Sequence, residues 1–158
     1  METTATARDR PHVVALPPLV YVGFLILGFL ADLIWPTGVA TLSLRLALGG
    51  LLFAAGLALG AWALQRFAWA GTPVEVYRPT TSLVTEGPYR FSRNPIYLGM
   101  TLASAGVAVM GNSLWALALL IPTLAVIRYG VIAREEEYLE RKFGEDYRRY
   151  RNSVRRWL

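Results

Sequence analysis

The chain has 158 residues, 54% of them apolar and 12% aromatic, and a formal net charge of +5. Its mean hydropathy is positive, which is not how a soluble domain of this length is made. The absence of cysteine excludes disulfides, thiolate metal sites and Cys nucleophiles. The one histidine, His12, lies in a polar N-terminal stretch. A multi-histidine metal centre and a Ser-His-Asp triad are therefore excluded, and neither a metal nor a nucleic-acid partner is expected.

In chain order, Met1 to Arg10 is polar and expected to be loose. No small-residue cleavage site follows the first apolar run, so that run reads as a retained helix and not a signal peptide. The first span is expected over about 16–35, with Pro17-Pro18 at its entrance and Pro36 ending it. Asp32, near its end, is expected to reach the interface. The second span is expected over about 44–64. It carries Gly49, Gly50, Gly56 and Gly60, small residues that let helices approach closely, within the monomer or between copies. Residues 65–94 are expected outside the membrane, with Phe67 and Trp69 in an interfacial belt and no long helix through Thr72-Pro73 to Pro79.

The third span is expected over about 95–110 and the fourth over about 114–133, with Pro122 kinking the latter. Only Gly111-Asn112-Ser113 separates the two, so they form an antiparallel hairpin. Beyond them, Leu139, Phe143 and Tyr147 recur at a spacing of four, which predicts an amphipathic helix running on along the membrane surface. The fold class is therefore all-α integral membrane, four transmembrane helices plus a C-terminal amphipathic interfacial helix, forming a single membrane domain over 1–158. Arginine distribution gives the orientation. Arg8 and Arg10, then Arg66, Arg78, Arg90 and Arg93, then the basic residues from Arg134 on all fall on one side, which the positive-inside rule makes cytoplasmic, both termini included.

Two polar clusters interrupt this apolar pattern. The first, 81–99, reads TSLVTEGPYRFSRNPIYLG. Asn94 suits an N-cap and Pro95 the first helical position, so a helix N-terminus with free N–H groups is expected at the mouth of an apolar layer. Such an end binds anions, including a small carboxylate. The second cluster begins with Arg134, Glu135, Glu136 and Glu137 at the end of the fourth span. Glu137 and Glu140 read as ordinary pairing partners on a solvated helix. Three adjacent carboxylates at a membrane edge, however, are costly unless partners meet them. Because the third and fourth spans form a hairpin, the clusters must meet, making a cytoplasmic site from 81–99 and 128–150 that suits a zwitterionic, nucleotide-like ligand.

The paired motifs LVTEGPYRFSRNPIYLG and EEEYLERKFGEDYRRY resemble the isoprenylcysteine carboxyl methyltransferase family and the related membrane phospholipid methyltransferases. The resemblance implies a multi-pass enzyme of the cell membrane that takes S-adenosylmethionine from the cytosol and methylates a lipidic acceptor coming from the bilayer. It implies cofactor contacts from Leu83, Val84, Tyr89, Asn94, Pro95, Tyr97 and Glu135 or Glu136, with Arg93 bracing the motif. It also implies an arginine that holds the acceptor, for which Arg128 and Arg134 are the candidates. The prenylcysteine enzymes typically carry histidine where this chain has Asn94, whereas phospholipid methyltransferases carry the Asn-Pro-x-Tyr form. The expected acceptor is a carboxylate of isoprenylcysteine type, needing no general base, with a phospholipid amine or a small thiol as alternatives. For an amine, Glu136 or Tyr97 becomes a possible base. A non-catalytic membrane protein of the same fold and, less readily, a small transporter are the rival readings. Neither the oligomeric state nor the role of the basic C-terminal segment is fixed by the sequence.

Overall fold

The architecture is all-helical, as a computed structural model describing residues 16–72 and 80–158 shows. The expectations placed on the N-terminal stretch, His12, Arg8, Arg10, Arg78 and the 73–79 part of the long connection lie outside these residues. Helix α1 (Pro17–Ile34) begins on the Pro17-Pro18 pair, which supplies preset φ angles where no N–H is needed. Helix α2 (Leu42–Trp69) runs five residues past the expected end at 64. Gln65 to Trp69 contains no breaker, and the helix stops only before Gly71, whose φ is +62°. Arg66, Phe67 and Trp69 therefore ride on a helix and not on a loop. A short 3₁₀ turn over Gly87–Arg90 leads to α3 (Pro95–Met110).

The last span is one rod in several pieces: α4 (Leu114–Ala118), α5 (Leu120–Val126), a π-helical stretch Ile127–Ile132, and α6 (Ala133–Phe143). The interruption at Leu119 lies one turn before Pro122, where the proline ring crowds the carbonyl four residues back. The π stretch turns Ile127, Val131 and Ile132 inward and leaves Arg128 and Tyr129 outward. Gly144, at φ +53°, then breaks the rod, and α7 (Glu145–Ser153) follows.

Pro17–Ile34, Leu42–Trp69 and Leu114–Phe143 are each long and apolar enough to cross a membrane. Helix α3, of 16 residues, spans about 24 Å, short of the ~30 Å hydrocarbon core. It packs along α2 and also touches α1, α4 and α5. The α2–α3 seam is built on small residues. A Cβ placed on Gly56 would collide with the Ala103 backbone, one on Gly49 with Met110 and Gly106, and one on Gly106 with Phe53 and Gly49. The glycines at 49 and 56 thus serve packing inside the monomer, whereas a Cβ on Gly50 or Gly60 meets open space.

Opposite the polar clusters, the 35–41 connection is stitched to the hairpin turn. Asn112 Oδ1 accepts from the Val39 and Ala40 N–H groups at 2.9 and 3.3 Å, and Thr37 Oγ1 accepts from Leu114 N–H at 3.0 Å. The Asp32 carboxylate accepts from the Thr37 N–H at 3.1 Å and from the Thr37 hydroxyl.

The seam yields the first prediction. Gly56→Leu overfills a backbone contact and should destabilise the protein by about 1–3 kcal/mol. Gly50→Leu should leave thermal unfolding in detergent within a degree or two of the parent.

Candidate functional site: the α3 entrance and the glutamate run

The 80–94 segment is fixed from several directions. Tyr138 Oη accepts from Thr80 N–H at 3.2 Å, and Thr72 Oγ1 accepts from Thr81 N–H at 2.9 Å. Leu83 and Val84 pack with Ala63, Tyr89, Tyr147 and Tyr150, and Leu139 and Phe143 join the same cluster. The expected stripe Leu139, Phe143, Tyr147 is therefore real, but it is spent on the 83–89 loop and the end of α2. Tyr150 Oη donates to the Tyr89 carbonyl at 2.8 Å. Burial, the chief cause, raises the Tyr89, Tyr147 and Tyr150 hydroxyls well above the usual phenol range. All three are neutral donors at physiological pH.

Helix α3 starts where expected, at Pro95, but the Asn94 side chain does not cap it. Its Nδ2 instead donates to the Arg156 carbonyl at 2.9 Å, because the chain folds back and offers that acceptor. Ser92 Oγ donates to the same carbonyl at 3.2 Å, and the Arg93 N–H to the Arg155 carbonyl at 3.0 Å. The first-turn N–H groups of Ile96 and Tyr97 have no intrahelical partner, and no side-chain cap takes their place.

The three adjacent glutamates meet three different fates. Glu135 Oε1 accepts from the Tyr97 hydroxyl at 2.6 Å, joining the end of the last span to the first turn of α3. Tyr97 is itself fixed, since the Tyr21 hydroxyl lies 3.2 Å from its carbonyl and 2.8 Å from Thr101 Oγ1. Glu136 is gripped by two guanidinium groups. Arg93 Nη2 stands 2.9 Å from Oε1, and Arg156 reaches both oxygens at 3.0 and 2.7 Å. The Arg93 and Glu136 side chains are only 9% and 11% exposed, so this pair lies in a medium where a lone charge is expensive. The bonds to Glu136 in turn hold the Arg156 guanidinium even more firmly protonated than usual. Glu137 faces outward and pairs with Arg141, and Glu140 pairs with Arg148 and Arg151, as ordinary surface charges do.

The expected cofactor residues thus fall into two touching pairs, Tyr97 with Glu135 and Arg93 with Glu136, with Asn94 tied to the latter through Arg156, and they are backed by the Leu83, Val84 and Tyr89 cluster. The arginine candidates stand apart from them. Arg134 is exposed on the first turn of α6. Arg128 is exposed too, its guanidinium 5.3 Å from the Tyr129 ring. It lines a cavity of about 450 Å³ with Leu98, Thr101, Leu124, Ala125, Tyr129 and Trp157. No carboxylate of the described residues pairs with it. A second, almost wholly apolar groove of about 800 Å³ lies between the start of α1, α2 and α3, with Ile96, Tyr97 and Met100 on its wall and Gly56, Gly60 and Gly99 among its lining.

Sequence reasoning missed the parts played by Arg156, Ser92 and Tyr21. Arg156 sits in a basic run that reads as solvated, yet the cost of Glu136 at a membrane edge already demanded a cation.

The sequence has counterparts among known proteins. Residues 44–146 match the family model described as phospholipid methyltransferase, and the chain belongs to that family of membrane methyltransferases. An uncharacterized protein of Haemophilus influenzae is 55% identical over 49 residues, which are 31% of this chain and 76% of that protein. The nickel-cobalt-cadmium resistance protein NccN of Alcaligenes xylosoxydans xylosoxydans is 36% identical over 74 residues, 46% of this chain and 35% of that one. The cobalt-zinc-cadmium resistance protein CzcN of Cupriavidus metallidurans is 35% identical over 68 residues, 43% and 32% respectively. The matches thus span about a third of the two resistance proteins. No solved structure matches.

The charge clamp supplies the second prediction. Glu136→Gln leaves Arg93 and Arg156 without their shared anion and should cost about 3 kcal/mol of stability. Glu137→Gln should cost well under 1 kcal/mol. Chemical unfolding of both variants in the same detergent measures the difference.

Proposed function

We propose that this protein is an integral membrane S-adenosylmethionine-dependent methyltransferase acting on an acceptor that partitions into the bilayer. The observation that carries the reading is the 2.6 Å bond between Tyr97 and Glu135. It joins a helix N-terminus and a carboxylate, two groups that recognise opposite ends of a zwitterion.

The residues fit such a ligand. The uncapped first turn of α3 offers N–H donors to its carboxylate. Glu135, with one oxygen on Tyr97, keeps lone pairs for an ammonium group or ribose hydroxyls. The 83–89 loop with Tyr89 would flank the flat base. Bound there, S-adenosylmethionine supplies an electrophilic methyl group on a sulfonium. The chain's own contribution is then positioning and exclusion of water, which alone account for a large part of such a rate enhancement. Glu136, both of whose oxygens are engaged by arginine, acts in this account as a brace and not as a base.

For the acceptor, Arg128 is the better candidate. An arginine in an apolar span is costly unless an anion or a cavity meets it. Arg128 faces a cavity, and a guanidinium can hold a carboxylate bidentately. This favours an acceptor of isoprenylcysteine type, whose ionised carboxylate needs no base. A second reading, methylation of a phospholipid amine, is favoured by the Tyr97–Glu135 pair beside the 800 Å³ apolar groove. There the apolar groove would take the acyl chains and the polar pair at its wall would face the amine head. The distribution of arginine favours a cytoplasmic site and cytoplasmic termini under either reading, within one membrane domain.

Glu135→Gln should weaken binding of labelled S-adenosylmethionine by about tenfold to a hundredfold, the worth of a hydrogen bond to a charged group. Wild-type affinity in this variant would remove the cofactor assignment. Arg128→Ala should raise KM for the acceptor while cofactor affinity stays unchanged. Activity assays with a prenylcysteine, phosphatidylethanolamine and a small thiol identify the acceptor, and the absence of cofactor binding would leave a non-catalytic member of the fold.

A further inference from the structure

Residues 154–157 form a wall whose position is fixed more firmly than a chain segment outside any helix requires. The Arg155 carbonyl accepts from Arg93 N–H, the Arg156 carbonyl accepts from both Ser92 and Asn94, and the Arg156 guanidinium lies on Glu136. The residue between this clamp and the last span is Trp157. Its indole packs against the cluster of Tyr21, Tyr97, Ile127, Val131 and Ile132 and at the same time lines the 450 Å³ cavity that holds Arg128.

Two donors border that cavity without a protein acceptor. Arg128 has no carboxylate partner among the described residues. The indole N–H of Trp157 likewise has no hydrogen-bond acceptor among them. The Trp157 side chain is half-buried, an indole at such a site normally finds an acceptor for its N–H, and a guanidinium lining the same cavity favours an acceptor that carries a negative charge.

The geometry points to Trp157 as a specificity-determining residue that, with Arg128, binds one anionic group on the methyl acceptor. That group is either a carboxylate or a lipid phosphate. This rests on the methyltransferase reading above and adds to it a second anchor, supplied by a segment that the two motifs do not include. The ring lines the cavity that Arg128 also lines, and its N–H is a second donor available to the same anion.

The test is a double-mutant cycle on acceptor KM with purified protein in lipid nanodiscs. The variants are Trp157→Phe, Arg128→Ala and both together, and the acceptors are N-acetyl-S-farnesylcysteine in one arm and phosphatidylethanolamine in the other. Binding of labelled S-adenosylmethionine and the thermal midpoint are measured in parallel. The expected result is a fivefold to twentyfold rise in KM for Trp157→Phe, with kcat, cofactor affinity and the thermal midpoint unchanged. In the Arg128→Ala background the same substitution should change KM by less than twofold, because the anion has already lost its main anchor. The arm showing this pattern tells whether the anion is a carboxylate or a phosphate. An unchanged KM, an equal effect in both backgrounds, or a parallel loss of cofactor affinity would overturn the inference while leaving the methyltransferase reading intact. Wild-type protein that binds no S-adenosylmethionine would overturn both.

Discussion

A buried carboxylate shared by two arginines holds the polar end of this protein together. Glu136 comes from the last span, Arg93 from the loop before α3, and Arg156 from the segment beyond α7. No two of these lie on the same helix, so satisfying one charge fixes three stretches of chain relative to one another. Surface pairs such as Arg141 with Glu137 impose nothing comparable, because water would serve either partner nearly as well. The bonds from Ser92, Arg93 and Asn94 to the 155–156 backbone then set the detail that the clamp permits.

Behind this clamp, the hydrocarbon part of the fold does simpler work. The glycine seam of α2 against α3 brings two backbones into close contact and so fixes α3, the shorter helix, against its longer neighbour. The first turn of α3 then meets the last span through the Tyr97–Glu135 bond. The π-helical stretch has the complementary effect one turn earlier, rotating Arg128 out of the helix core and toward a cavity. One rod thus presents a carboxylate to one place and a guanidinium to another.

Much of this was legible in the sequence, for physical reasons. Apolar runs punctuated by Pro36, Gly111-Asn112-Ser113 and Pro95 fixed the helices to within a few residues. The one larger displacement, α2 reaching Trp69, followed from taking polarity at Gln65 and Arg66 as the end of a helix that no breaker ends. The meeting of the two clusters followed from hairpin connectivity alone. What did not follow was the use of Asn94. An asparagine before a proline reads as a cap, and only the returning backbone of Arg156, 62 residues away, outbids that local role. The stripe of Leu139, Phe143 and Tyr147 was correct in period, but which surface it would cover depended on where the 83–89 loop settled, and periodicity carries no such information.

The central claim is that the α3 entrance and the glutamate run grip one small molecule. Photo-cross-linking of labelled S-adenosylmethionine to the purified protein, followed by peptide mapping, addresses it most directly. The account predicts label in peptides from both 81–99 and 134–141, displaced from both by unlabelled S-adenosylhomocysteine. Label confined to one of the two segments, or resistant to that competitor, would contradict it.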